Sequence, residues 1–195
     1  MMPYPAYIEK SKEGEKAYDV YSRMMKDRIV FMTGVVDEDM ANHLVASLLL
    51  LESQNDKAPI CMYVNSPGGA IVHGMAIYDT MQLVKSPIHT IVFGQACSMG
   101  SFLAQAGEKG HRKILPHART MIHQPSGGAS GMQSDIEIQY KEITKMKEML
   151  TDLYVFHNSK GKTYEDFERD MDRDTFLSAD ETVAYGLADE VVTKI

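Results

Sequence analysis

Between Arg28 and Ala106 the chain runs three times through one pattern: a short apolar run, a turn, then a stretch with helical spacing. The runs are RIVFM (28–32), ICMYV (60–64) and IHTIVF (88–93). After the first, residues 37–54 place apolar side chains at Met40, Leu44, Leu48 and Leu51, and again at Ala41, Val45 and Leu49, with acids at the start. That spacing predicts a helix, and acids suit the positive end of its dipole. A second helix is predicted from Ile71 to Val84, and a short one over 99–106. Strands alternating with helices pair in parallel, because each helix carries the chain back to the starting edge. The expectation is an α/β domain with a largely parallel sheet, whose functional loops lie beyond the carboxyl ends of the strands. NSPGG (65–69), read as the stop of the second strand, and GQACSMG (94–100), which follows the third, both fall there.

Downstream the pattern changes. RKIL and RTMIH read as short strands, and QPSGGASGMQ, with three glycines, as a loop or irregular ribbon. Ser134 and Glu137 form a capping-box pair, predicting a long helix with a stripe of Ile136, Tyr140, Ile143, Met146, Leu150 and Leu153. A helix of that length is expected to project from the body. Smaller helices are predicted around 163–171 and 178–186, the second with a Ser178–Glu181 box and a Gly186 stop.

Composition narrows the function classes. A length of 195 residues suits one domain with a real core, and a net charge of −7 argues against nucleic acid. No apolar run reaches the roughly 20 residues of a membrane span. The N-terminal MMPYPAYIEKSKEGEK resembles neither a signal nor a transit peptide. Cys61 and Cys97 are not spaced as a C-x-x-C pair, so both are expected to be reduced in a cytoplasmic protein. No Cys or His spacing suggests a metal site.

The serine in GQACSMG is the candidate for chemistry. Small residues let a chain bend sharply from strand to helix, and such a bend displays Ser98. A hydroxyl needs a base to become nucleophilic. Of seven histidines, His123 stands out, at the end of a strand and before Gln124-Pro125. His43, mid-helix, and His157, near a helix end, are expected to be solvated or partly buried. His73, His89, His111 and His117 have no evident partner. An orienting carboxylate is available from Asp170, Asp172 or Asp174, and periodicity does not choose among them. The Met99 amide, at a helix start, and a glycine amide of NSPGG suit an oxyanion. Ala96 occupies the first glycine position of a G-x-S-x-G elbow, which disfavours an α/β-hydrolase.

Together NSPGG (65–69), GQACSMG (94–100), MIHQP (121–125) and RDTFLSADE (173–181) closely resemble the proteolytic subunit of the Clp protease family. The resemblance extends over nearly the whole chain and implies the ClpP/crotonase fold, a spiral of β-β-α units with a projecting handle helix at about 134–157. It implies a catalytic triad of Ser98, His123 and Asp174, with the Gly69 and Met99 amides as oxyanion donors and Gly68 beside them. It also implies two stacked heptamers, contacted through the handle and Arg173, and an extended unfolded substrate lying along Gly127 and Gly128. Residues 1–16 are expected to line an axial pore, ahead of a single protease domain at 17–195. A hexameric AAA+ ATPase is expected at a pocket including Tyr63, Leu83, Ile91 and Val192, where Cys61 and Lys113 depart from the usual aromatic character. ATP belongs to that partner, so the chain itself is expected to need no cofactor. Two other readings are a poorly active structural ring subunit, against which the full triad argues, and an acyl-CoA enzyme of the same superfamily. The latter would not require Ser98, His123 and Asp174 together.

Overall fold

The computed structural model describes residues 6–11 and 14–194. Of the segment expected to line a pore, residues 1–5 and 12–13 lie outside the described residues. The described part forms β1 (Ala6–Ser11) and β2 (Gly14–Asp19), an antiparallel pair. Next comes α1 (Val20–Lys26), whose Arg23 and Lys26 both reach Glu9. The alternating region supplies β3 (Ile29–Val36), α2 (Glu38–Gln54), β4 (Ile60–Gly69), α3 (Ile71–Leu83), β5 (Ile88–Cys97) and α4 (Met99–Gln105). Two short strands follow, β6 (Arg112–Ile114) and β7 (Arg119–Ile122), then α5 (Gln133–His157). The chain continues through α6 (Tyr164–Asp170), β8 (Thr175–Leu177), α7 (Ala179–Tyr185) and β9 (Glu190–Val191).

Among the described residues the main sheet has seven strands in the order β3-β4-β5-β6-β9, with β7 joined to β5 and β8 joined to β7. Every pairing in it is parallel except β7 with β8, so the α/β class expected from the alternation is the one observed. The core lies between sheet and helices. Leu44, Leu48 and Leu51 of α2 and Ile77 and Met81 of α3 are buried with Ile60, Met62 and Val64 of β4 and Phe102 and Leu103 of α4. Burying each such side chain contributes roughly 1.5–3 kcal/mol against the entropy of ordering it.

The three long strands outrun their apolar runs because each bends rather than stops. The β3–β4 register shifts between Thr33 and Val35, across Gly34 at φ 95°, and the β4–β5 register shifts between Val64 and Ser66. In β5 the bend contains Gly94 at φ 75°. Asn65 Oδ1 accepts the Gln95 N–H at 3.3 Å across this bend, and a Cβ on Gly94 would stand 2.8 Å from that oxygen. Before the bend β5 pairs with β6 through Thr90–Val92; after it, with β7 through Gln95–Cys97. Each long strand therefore acts as two strand segments followed by a helix, the β-β-α unit of the expected spiral. NSPGG is accordingly not a strand stop: β4 runs through it to Gly69.

Two helix expectations need correction. The Ser134–Glu137 box does not start α5, whose N-cap is Met132 with no side-chain capping bond. The expected stripe holds only in its C-terminal half: Ile136 and Tyr140 are exposed, Ile143, Met146 and Leu153 are half-buried, and the fully buried face is Leu150, Thr151, Tyr154 and His157. Every residue from Gln133 to Glu142 is exposed, so the N-terminal part of α5 stands clear of this chain's body. The boxes at Thr163–Asp166 and Ser178–Glu181 are present, and Gly186 ends α7 at φ 92°. The N-terminal strand pair, α1, β8 and β9 have short or polar patterns that gave no sequence signal.

Candidate active site

One residue separates β5 from α4, and it is Ser98. Its backbone sits at φ 54°, ψ −125°, a region that side chains other than glycine rarely adopt. Bonds on both sides hold it there. The Ser98 N–H donates to the Met121 carbonyl at 2.9 Å, extending the β5–β7 ladder by one step. Its carbonyl accepts the Ser101 and Phe102 N–H groups at 3.0 and 3.1 Å, opening α4. The side chain makes no capping bond and is left to face His123.

Sheet register brings the other two groups in. β7 and β8 are antiparallel with Ile122 opposite Thr175, so the next step of the ladder sets His123 against Asp174. His123 Nδ1 lies 2.9 Å from Asp174 Oδ1, and Nε2 lies 2.9 Å from Ser98 Oγ. A carboxylate only accepts, so the imidazole carries its proton on Nδ1 and offers Nε2 as acceptor for the serine hydroxyl. The strand ends are tied together nearby. Gln124 donates its N–H to the Met171 carbonyl at 2.6 Å and its Nε2 to the Asp172 carbonyl at 2.8 Å. Thr175 Oγ1 donates to the Asp170 carbonyl at 2.6 Å.

The three aspartates that the sequence left open are separated by their contacts. Asp170 takes Arg169 and accepts the Tyr185 hydroxyl at 2.9 Å, while Asp172 lies 3.7 Å from Arg173. Asp174 is the one at His123. Cys97 is buried beside this group. Burial, and then the Asp174 carboxylate, push its thiol up, which keeps it protonated beside the serine.

Gly68 and Gly69 stand behind the serine. A Cβ on Gly68, at φ 91°, would stand 2.7 Å from both the Ser98 Cβ and the Cys97 carbonyl oxygen, and 3.1 Å from the Met99 nitrogen. The Gly68 N–H donates to Ser66 Oγ at 3.0 Å, so this amide is already engaged. Ser66 Oγ in turn donates to the Gly34 carbonyl at 2.6 Å. Gly69 lies opposite Val36 in the β3–β4 ladder, too close for a side chain. Met99 is the first residue of α4, where helix amides have no intrahelical acceptor. Beside Ser98 and His123 lies an apolar pocket lined by Ile71, Met99, Phe102, Pro125, Leu150, Tyr154 and Met171.

The remaining sequence candidates lie elsewhere. Arg173 is 85% exposed, its Nη1 donating to the Asp172 carbonyl at 2.9 Å. Gly127 and Gly128 lie in the coil before α5, with no strand there; a Cβ on Gly127 would meet Ile143 Cδ1 at 3.1 Å. Tyr63, Ile91 and Lys113 are register neighbours across β4, β5 and β6, with Cys61 on the same strand as Tyr63. Ile91 and Val192 are each only 5% exposed, whereas Leu83 ends α3 at 75%. His157 is buried rather than solvated, with Nε2 3.0 Å from the Tyr78 hydroxyl. His89 and His111 do have partners, namely each other, with rings stacked at 4.0 Å.

Sequence reasoning overlooked Ser101 and Tyr154. Ser101 Oγ lies 2.7 Å from the Ser98 carbonyl oxygen and 2.7 Å from the Tyr154 hydroxyl. The available signal was the polar spacing Thr151, Tyr154, His157 inside a buried helix face. Among the described residues there is no cluster of three metal-ligating side chains and no helix long and apolar enough to cross a membrane.

A serine hydroxyl, an imidazole and a carboxylate joined in this order constitute a nucleophile, its base and an orienting group. The family model for Clp protease matches residues 12–195, and the chain belongs to that family of serine-type peptidases.

Proposed function

We propose that this chain is the proteolytic subunit of an ATP-dependent, self-compartmentalised endopeptidase, with Ser98, His123 and Asp174 as its catalytic triad. The observation that carries the reading is the pair of 2.9 Å contacts that join the three side chains through one imidazole. As the Ser98 oxygen attacks a peptide carbonyl, its proton passes to His123 Nε2. The carbonyl π pair moves onto oxygen, where the Met99 and Gly69 amides stabilise the negative charge. The tetrahedral intermediate collapses, His123 gives its proton to the leaving amine, and an acyl-enzyme remains. Water, deprotonated by the same imidazole, then releases the acid. Asp174 holds the tautomer and stabilises the imidazolium. The engaged Gly68 amide makes Gly68 a spacer in this scheme.

The assembly completes the reading. Two heptamers stack through α5 and Arg173, enclosing the active sites. Exposed Ile138 and Tyr140 on α5, at 65% and 67%, are apolar surface suited to such a contact. Unfolded polypeptide lies along Gly127 and Gly128 and is recognised through its backbone. A hexameric AAA+ ATPase docks at Tyr63, Leu83, Ile91 and Val192 and consumes the ATP; this chain takes no cofactor and works in the cytoplasm. Ser98→Ala tests the chemistry. Peptide cleavage should disappear while the particle still assembles, and cleavage near the unmodified rate would contradict the reading.

A further inference from the structure

We propose that Tyr154 is a positioning residue for Ser98, donating through the Ser101 hydroxyl to the Ser98 carbonyl and so holding the turn that aims the serine at His123. The inference rests on the reading of Ser98 as the nucleophile.

The distances set the direction of the relay, since the Ser98 carbonyl oxygen lies 2.7 Å from Ser101 Oγ and 3.3 Å from the Tyr154 oxygen. The Ser98 carbonyl oxygen can only accept, and Ser101 has a single hydroxyl proton to give it, at 2.7 Å. With the Ser101 proton on that shorter contact, Ser101 Oγ accepts at its other one, and the Tyr154 O–H donates to it at 2.7 Å. The phenol oxygen also lies 3.3 Å from the Ser98 carbonyl oxygen itself. Ser101 and Tyr154 are 1% and 4% exposed, which leaves this pair shielded from bulk solvent. The Tyr154 ring is fixed between Phe102 and Phe167, with centroids at 5.5 and 5.3 Å. Gln105 Nε2 donates to the Tyr154 carbonyl at 3.0 Å, tying the same residue to α4 a second time. Burial pushes the phenol up, so it remains a neutral donor.

The Ser98 backbone is strained, and strain of this kind persists only where the surroundings over-determine it. One anchor is the N–H bond to Met121; the other is the carbonyl, which takes the Ser101 and Phe102 amides of α4 and, beyond them, the Ser101 hydroxyl from α4 and the Tyr154 hydroxyl from α5. Loosening the carbonyl anchor turns the Ser98 hydroxyl away from Nε2 without altering the shape of the neighbouring pocket.

Tyr154→Phe keeps the ring and removes the donor. On the assembled particle, kcat for a fluorogenic peptide and the rate of fluorophosphonate labelling of Ser98 should both fall about fivefold to twentyfold, with KM changing less than about twofold. Ser101→Ala should fall at least as far, and the double variant no further, because the two hydroxyls act as one relay. Unchanged kcat and labelling would overturn the proposal, as would independent, multiplying losses. A rise in KM with kcat intact would also overturn it, assigning Tyr154 to the pocket alone. An unmodified protein that does not label at Ser98 removes the nucleophile and the relay together. Normal labelling of both the unmodified protein and Tyr154→Phe removes the relay only.

Discussion

At Gly68 a single methyl group would collide with the Ser98 side chain: its Cβ would stand 2.7 Å from the Ser98 Cβ, at a φ of 91° that a side chain rarely adopts. Gly68→Ala is therefore expected to cost about 1–3 kcal/mol of stability and more than about tenfold in kcat, because Ser98 must move to make room. Thermal melting and peptide hydrolysis measure the two effects. His157 gives a pH signature. Burial first, then the guanidinium of Arg112, push its imidazole down to about 4. The folded chain holds it neutral while the unfolded chain protonates it near its ordinary value, so acid favours the unfolded state. Stability should fall by about 2 kcal/mol as pH drops from about 6.5 to 4, and His157→Gln should flatten that slope. Ser98 was legible in the sequence because small residues surround it where a strand must bend into a helix, and His123 because it ends the strand-like TMIH. Asp174 was legible only through the family resemblance, since its proximity to His123 depends on an antiparallel register with a three-residue strand too short to show alternation. Buried polar contacts such as Tyr154 with Ser101 leave even less trace, because their partners lie 53 positions apart.

At the level of elements, the first half of each long strand was legible and the second was not. Apolar runs end where the sheet bends at Gly34, Asn65 and Gly94, and the residues beyond are polar or small because they carry the site rather than the core. Capping shows the same dependence on surroundings. Ser178 and Glu181 satisfy each other's backbone donors at the start of α7. Ser134 has the same spacing to Glu137, yet α5 has already begun at Gln133. Ser178→Ala should cost about 1 kcal/mol, a melting shift of about 2–4 °C for a domain of this size, whereas Ser134→Ala should cost almost nothing. Equal losses at the two serines would contradict this assignment of caps.

The whole molecule presents surface that one chain does not cover, chiefly the exposed N-terminal part of α5. Nothing in composition or periodicity encodes seven-fold symmetry; that expectation came from family resemblance alone. Arg173 lies one residue from Asp174 with its guanidinium in solvent, and the proposed assembly would use it to link a contact between rings to the alignment of the triad. Arg173→Ala should weaken the double ring and peptide hydrolysis together, and an intact but inactive double ring, or an active single ring, would contradict that coupling. The most direct test of an activated serine inside a closed particle is fluorophosphonate labelling of the purified protein, followed by peptide mapping and native sizing. Label on Ser98, lost in His123→Ala, on a particle of about fourteen chains is the predicted result. An assembled particle that takes no label, or takes it at another residue, would contradict it.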